Sequence, residues 1–405
     1  MSEATMTGDA STREPADKPA LNLRWIGLGL LPLLLLVVVL VIIVATDGGL
    51  GERTAPPIEV LNVERVMLPE PNEIKVSVVN DGPDAITIAQ VLVDDAYWNF
   101  FLSGDNTLGR LESTTITIPY PWVEGEAHAI AIISSTGVVF DAEVPVAIAS
   151  PQSNWATVAR FALIGTYVGV IPVALGLLWY PFMRRLGQGS LRFILALTVG
   201  LLVFLAVDMW EEAREFALEA PAAFDAPLLV PVVALLTFML LMTIAARSRG
   251  SHEGLPLAYR IALGIGLHNL GEGLAIGAAF ALGEVALGVF LVVGFTLHNV
   301  TEGIGIAAPI VRERPALQHF AGLTLLAGGP AILGVWIGGF IFSPLWTTIF
   351  LAIGIGAIAQ VVVEVWRIIA RGAERSGKPM LNWATFGGVT AGIAIMYVTA
   401  LLIAA

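Results

Sequence analysis

Polar and apolar positions fall into three patterns along this chain. Residues 1–24 are mostly polar and rich in Ser, Thr, Asp and Glu, so a disordered cytoplasmic tail is expected there. Residues 25–46, WIGLGLLPLLLLVVVLVIIVAT, are continuously apolar and long enough for a bilayer, which takes about 20 residues. The run exceeds a signal peptide's apolar region and no small-x-small cleavage site follows it, which predicts a retained anchor helix. Over 58–148 the period changes to two. In EIKVSVVN, Ile74, Val76 and Val78 take one face of a strand while Lys75 and Ser77 take the other. Six or seven such runs, separated by turn signals such as PEPN and DGPD, predict an antiparallel β-sandwich. From Trp155 onward come eight apolar spans, near 155–182, 191–211, 227–246, 256–282, 285–310, 317–342, 345–369 and 383–404. The expected architecture is an eight-helix membrane bundle over 155–404, all-α, joined to one anchor helix and a small all-β sandwich.

Composition strengthens the membrane reading. Of 405 residues, 56% are hydrophobic and only 13% charged, about half the charged fraction of a soluble protein. There is no Cys, so any metal must be held by His, carboxylate or amide groups. The net charge of −12 is unevenly placed: residues 47–154 hold 4 Lys/Arg against 16 Asp/Glu, and the rest balances. An acidic domain beside a neutral bundle argues against nucleic acid as a partner. It suits the attraction of cations, and equally the plain solubility of an exposed domain.

The basic residues orient the spans. With the N-terminus inside, the cytoplasmic segments 1–24, 183–192, 247–260, 311–316 and 367–382 contain 15 of the 21 Lys/Arg, and the outer loops 212–226, 283–284 and 343–344 contain only Arg214. By the positive-inside rule this predicts nine spans in the cell membrane, with the β-domain and C-terminus extracytoplasmic.

Within the apolar spans one signature occurs twice. His268, Asn269, Glu272 and Gly273 form the first copy, and His298, Asn299, Glu302 and Gly303 the second, 30 residues on. Imidazole and carboxylate at i and i+4 share one helical face. Packing alone explains one such pair, with a hydrogen-bonded His and a neutralised Glu; two copies with the same flanking Asn and Gly ask for a common ligand. Neutral imidazole and carboxylate suit Zn²⁺, Fe²⁺ or Mn²⁺, and two glutamates would offset a divalent charge inside the bilayer. The Asn amides can supply weak oxygen ligands or outer hydrogen bonds. Weaker candidates are Asp208, Glu211, Glu212 and Glu215 at the outer end of the second span, read as a metal entrance or a solvated helix end. Glu364 reads equally as pathway ligand or structural partner. His319 reads as a residue reaching to the interface, and His128 as ordinary surface or strand.

HNLGEGLAIG and TLHNVTEGIGIAAP resemble the fourth- and fifth-helix signatures of the ZIP family of divalent metal transporters. The resemblance covers 155–404. It implies eight spans with outward termini, passage of metal toward the cytoplasm, and ligands at His268, Asn269, Glu272, His298, Asn299 and Glu302. The chain departs from the family pattern in four places. Gly271 and Thr301 replace the proline common in both signatures; Gly329 stands where a bridging Glu precedes Pro330; Val365 follows Glu364 where Asp-Glu is frequent; and the usually His-rich loop offers only His252. The missing glutamate implies one metal rather than two. Residues 1–154 lie outside the resemblance, though VSVVNDGPDAITI resembles the Ig-like adhesion-type modules found outside prokaryotic cells. Metal ions and the bilayer are the expected partners, with room for a homodimer. No enzymatic activity is expected; the rival readings are an intramembrane metal-dependent hydrolase and a metal-sensing or adhesion protein. The absence of HExxH counts against a metalloprotease.

Overall fold

The computed structural model describes residues 23–46, 56–247 and 254–404. The expected tail falls almost wholly outside these residues, as do Arg249 and His252. Contacts divide the chain into two units, Met1–Pro57 and Ile58–Ala405. In the first, α1 (Leu23–Ala45) is one helix of 23 residues. Every side chain from Leu30 to Thr46 is exposed, the pattern of a helix that presents apolar groups all round.

The second unit begins with the β-domain. Its strands are β1 (Leu61–Glu70), β2 (Glu73–Asn80), β3 (Ile86–Val93), β4 (Ala96–Trp98), β5 (Phe101–Leu102), β6 (Thr107–Leu108), β7 (Ser113–Ile118), β8 (His128–Ser134) and β9 (Val139–Val144). They form two antiparallel sheets, ordered β1-β2-β7-β5 and β4-β3-β8-β9, with β6 paired to β3. The alternation read from EIKVSVVN is borne out: Ile74, Val76 and Val78 are buried and meet Ile86, Ile88, Ile130 and Ile132 of the other sheet in one core. Asn80 pins the NDGPD turn, donating to the carbonyls of Asp84 and Leu108 and accepting from the Gly82 amide. The three shortest strands carry too few residues to show a period of two.

The bundle follows. Its first span, Trp155–Met183, is broken into α2 (Trp155–Gly165), a π-helical turn (Thr166–Val170), α3 (Ile171–Leu177) and α4 (Tyr180–Met183). The remaining helices are α5 (Gln188–Glu219), α6 (Ala226–Arg247), α7 (Leu255–Ala281), α8 (Val285–Ala307), α9 (Leu317–Phe340), α10 (Pro344–Ser376) and α11 (Trp383–Ala404). By length and composition, eight spans among the described residues can cross a membrane. They match the expected spans closely, with one consequential difference. α5 does not end near 211 but runs 32 residues to Glu219, roughly 48 Å at 1.5 Å per residue. The acidic run from Asp208 therefore rides on an unbroken helix.

Glycines sort the helices into two blocks. In the first, α7 and α9 approach backbone to backbone: a Cβ on Gly273 would fall 2.3 Å from the Ala331 carbonyl oxygen, and one on Gly334 2.2 Å from that of Leu270. Gly176 of α3 and Gly303 of α8 lock in the same way, and Gly169 of the π-helical turn meets Gly328 of α9. In the second block, Gly200 of α5 meets the backbone of Val389 in α11, and Gly356 of α10 that of Ala234 in α6. Between the blocks, side chains stand nearest at three glycines, where Gly264 faces Val361, Gly271 faces Leu351 and Gly305 faces Thr198; backbone comes closest at Gly354 of α10, whose added Cβ would lie 3.4 Å from the His268 Cα. The seam between α5/α10 and α7/α8 is thus lined mainly by side chains, which can rearrange where interlocked backbones cannot.

The sandwich docks on one end of the bundle. Asn62 of β1 donates to the Glu219 carbonyl at 2.9 Å, and the Arg65 guanidinium lies 3.5 Å from the carbonyl oxygens of Gly339 and Phe340. The Asp81 carboxylate caps the short 3₁₀ turn Ala222–Phe224, accepting from Ala222 and Ala223 at 2.5 and 3.0 Å. Ile148 packs on Gly283. These contacts fall at or beside the loops that the charge pattern assigned to the sandwich's side of the membrane.

Candidate metal site

The doubled signature folds into one place. α7 and α8 run in opposite directions, and their His-Glu faces meet in the bundle interior. His268, Asn269, Glu272, His298, Asn299 and Glu302 are all buried. One ligand atom each from His268, Glu272 and His298 lie within 4.8 Å of one another. His268 Nε2 is 2.9 Å from Glu272 Oε1, and His298 Nε2 approaches the same oxygen still more closely. Glu302 stands just outside this triad, with Oε1 3.8 Å from His268 Nε2.

The surroundings orient these donors. Met209 of α5 brings its Sδ 2.8 Å from His268 Nδ1. That contact occupies one ring nitrogen and leaves Nε2 turned toward Glu272; the proton's place is inferred from the contact. Asn299 donates to Glu272 Oε2 at 3.1 Å and to the Val168 carbonyl at 3.0 Å. That carbonyl belongs to the π-helical turn, whose altered hydrogen-bond register brings Val168 O to the site. Asn269 donates to the Ala327 carbonyl at 3.0 Å. With both amide nitrogens engaged, Oδ1 of Asn269 and Oδ1 of Asn299 are buried without a hydrogen-bond partner.

His268 Nε2 and both carboxylate oxygens of Glu302 are likewise buried without a hydrogen bond. The His268–Glu272 contact is close but not aligned for one. Buried acceptors without donors are costly. Here five such atoms belong to the signature residues, and a cation among them would satisfy what no protein donor does. Two carboxylates and two imidazoles match a borderline-to-hard divalent ion.

The structure also places the weaker candidates of the sequence. Of the two readings of His128 the strand holds: it opens β8 and is buried, with Nδ1 2.9 Å from Asp94 Oδ2. His319 does not merely reach for the interface, since its Nδ1 pairs with the Tyr259 hydroxyl at 3.1 Å. Glu364 has partners on its own helix, Gln360 at 3.5 Å and Arg367 at 3.9 Å. A side chain at Gly329 would meet nothing within 4 Å, so that position contributes open space rather than a bridging ligand. Asp208 lies one residue from Met209, within electrostatic reach of His268, His298 and Glu272. Sequence reasoning missed Met209 and the Val168 carbonyl. No pattern marks a thioether in LAVDMWEE as a neighbour of a histidine 59 residues away; for the Val168 carbonyl the available signal was Pro172, four residues on, which has no N–H to bond it.

No family model and no curated protein matches the chain. Its chemistry therefore rests on the geometry.

Proposed function

We propose that this chain is a transporter of divalent metal cations, similar to the ZIP family, that moves Zn²⁺ (or Fe²⁺ or Mn²⁺) toward the cytoplasm through the His268/Glu272/His298/Glu302 site. One observation carries the reading. Four titratable side chains from two antiparallel spans converge in the bundle interior, and the oxygens of one glutamate make no well-formed hydrogen bond. Charged groups at such depth are expensive and are kept for function.

The donor set suits passage better than storage. Without thiolates, affinity stays moderate, and imidazole with carboxylate gives similar bonds to Zn²⁺, Fe²⁺ and Mn²⁺. Glu272 and Glu302 offset the dication's charge and so reduce its desolvation penalty. The site stands beside the side-chain-lined seam, where one helix block can shift against the other and expose the metal first to one side and then to the other. That is alternating access about a site between packed elements. One metal is proposed, because Gly329 adds no ligand and the described residues hold a single such cluster.

The test is flux. The purified full chain in liposomes is expected to take up Zn²⁺ saturably, with Fe²⁺ and Mn²⁺ competing. Glu272→Ala and His298→Ala should each reduce uptake to background while the protein remains folded. Metal binding without saturable uptake would sink the transporter and favour a sensor or an intramembrane hydrolase. Wild-type uptake by both variants would place the pathway elsewhere.

A further inference from the structure

We infer that Pro172 is a positioning residue that tunes which ion the site prefers: it holds the Asn299 side chain so that the amide oxygen, and not the nitrogen, faces the metal. Pro172 is the second residue of α3 and follows directly on the π-helical turn Thr166–Val170. In a regular helix the Val168 carbonyl would accept from the N–H at position 172. Proline has no such N–H, and its ring crowds the carbonyl four residues back and pushes it off the helix axis. The Ile171 N–H offers no substitute, because it reaches five residues back to the Thr166 carbonyl. Val168 O is thereby released toward α8, where Asn299 Nδ2 takes it at 3.0 Å.

That bond decides which way the amide points. Nδ2 also donates to Glu272 Oε2 at 3.1 Å. A carbonyl and a carboxylate both accept, so the reversed amide would set oxygen against oxygen, and the network fixes the orientation. Oδ1 is left buried without a hydrogen bond, on an amide that touches one member of the His268/Glu272/His298 triad. An Asn kept only to satisfy Val168 O would not leave its own oxygen in that costly state. Asn269 repeats the arrangement, with Nδ2 on the Ala327 carbonyl and Oδ1 unpartnered. Only the Asn299 tie uses a carbonyl that a proline four residues on has released.

The consequence is selectivity, and it rests on the metal reading of the site. Two imidazoles and two carboxylates already supply the four ligands that Zn²⁺ takes in a tetrahedral array. Mn²⁺ prefers six ligands and favours oxygen. An amide oxygen held toward the ion therefore helps Mn²⁺ more than Zn²⁺ and narrows the lead that zinc otherwise holds at such donors.

Calorimetric titration of the purified full chain with Mn²⁺ and with Zn²⁺ tests this in wild type, Pro172→Ala, Asn299→Ala and the double variant. Pro172→Ala restores an N–H beside Val168 O. It should weaken Mn²⁺ binding about tenfold, as loss of an outer hydrogen bond to a metal ligand does, and Zn²⁺ binding clearly less. In the Asn299→Ala background the same substitution should change neither affinity, because the side chain through which Pro172 acts is gone. Pro172→Ser supplies the same N–H if Pro172→Ala does not fold. Should Asn299→Ala not fold, the ratio of the Mn²⁺ to the Zn²⁺ loss decides alone, since a general loosening weakens both ions alike. Equal weakening of both ions, unchanged Mn²⁺ binding, or the same loss in both backgrounds overturns the role of Pro172 and leaves the metal site in place. Wild-type protein that binds neither ion overturns the metal reading and this one with it.

Discussion

Glu302 is where the demands of stability and of function oppose one another. Its two oxygens are buried without a well-formed hydrogen bond, so the metal-free fold bears a poorly compensated polar group at a cost of about 1–3 kcal/mol. Replacing it by an apolar side chain of similar length should stabilise that state. Glu302→Met is expected to raise the melting temperature of metal-free protein and to abolish the further rise that Zn²⁺ gives the wild type. If Zn²⁺ still shifts the variant's melting temperature as in the wild type, Glu302 is not a ligand. In the sandwich, Asp94 presents a separate case. Burial works to raise its pKa, but the Tyr120 hydroxyl, the His128 ring and the Ala129 amide outweigh it and hold the carboxyl below the usual range. The Tyr120 phenol, bonded to that carboxylate, is pushed up to about 12. A depressed acid stabilises the fold above its unfolded pKa and loses that contribution as pH falls through the folded value. A raised phenol stabilises below its unfolded pKa and loses it as pH rises. The pair should therefore protect the sandwich between about pH 4 and pH 10. Hydrogen exchange at the Ala129 amide, in wild type and Asp94→Asn, checks this; identical protection at neutral pH would remove the pair's role. His and Glu spacing was legible at this scale, because a helix puts i and i+4 on one face. The environment of His128 was not, because Asp94 lies 34 residues away.

At the scale of elements, the bundle depends on backbone contact. A methyl group on Gly273 would stand 2.3 Å from the Ala331 carbonyl oxygen, and no rotamer relieves a clash with backbone. Gly273→Ala should separate α7 from α9 and cost about 1–3 kcal/mol, read as lost thermal stability and lost Zn²⁺ binding together. Gly329→Ala, one helix face away with open space around it, should instead gain about 0.5–1 kcal/mol. Equal effects of the two substitutions would contradict the interlocked packing. Span positions were readable because apolar length is a local property. The break in the first span was readable only in part: Pro172 cannot donate to the turn before it, but the contacts of Gly169 with Gly328 and of Asn299 with the Val168 carbonyl join segments far apart in the chain.

Across the whole molecule, β1 ties both blocks at one end. Asn62 reaches the end of α5 in one block, and Arg65 reaches the end of α9 in the other. Asp81 adds a cap on the turn between α5 and α6. Removing that cap, Asp81→Ala, should cost about 1 kcal/mol locally and speed hydrogen exchange at 222–224 about fivefold. Unchanged exchange would mean that the sandwich is not held there. The sequence by itself determined the eight spans, the two-residue period of the sandwich and the pairing of His with Glu on single helical faces. Each follows from neighbours within a few residues, where helix and strand geometry leave little choice. Only the tertiary structure decided that His268, Glu272 and His298 converge while Glu302 stands aside, and that Met209 and Val168 serve the site. Those are distances between segments far apart in the chain, set by how glycine-faced helices interlock, and no local pattern encodes them.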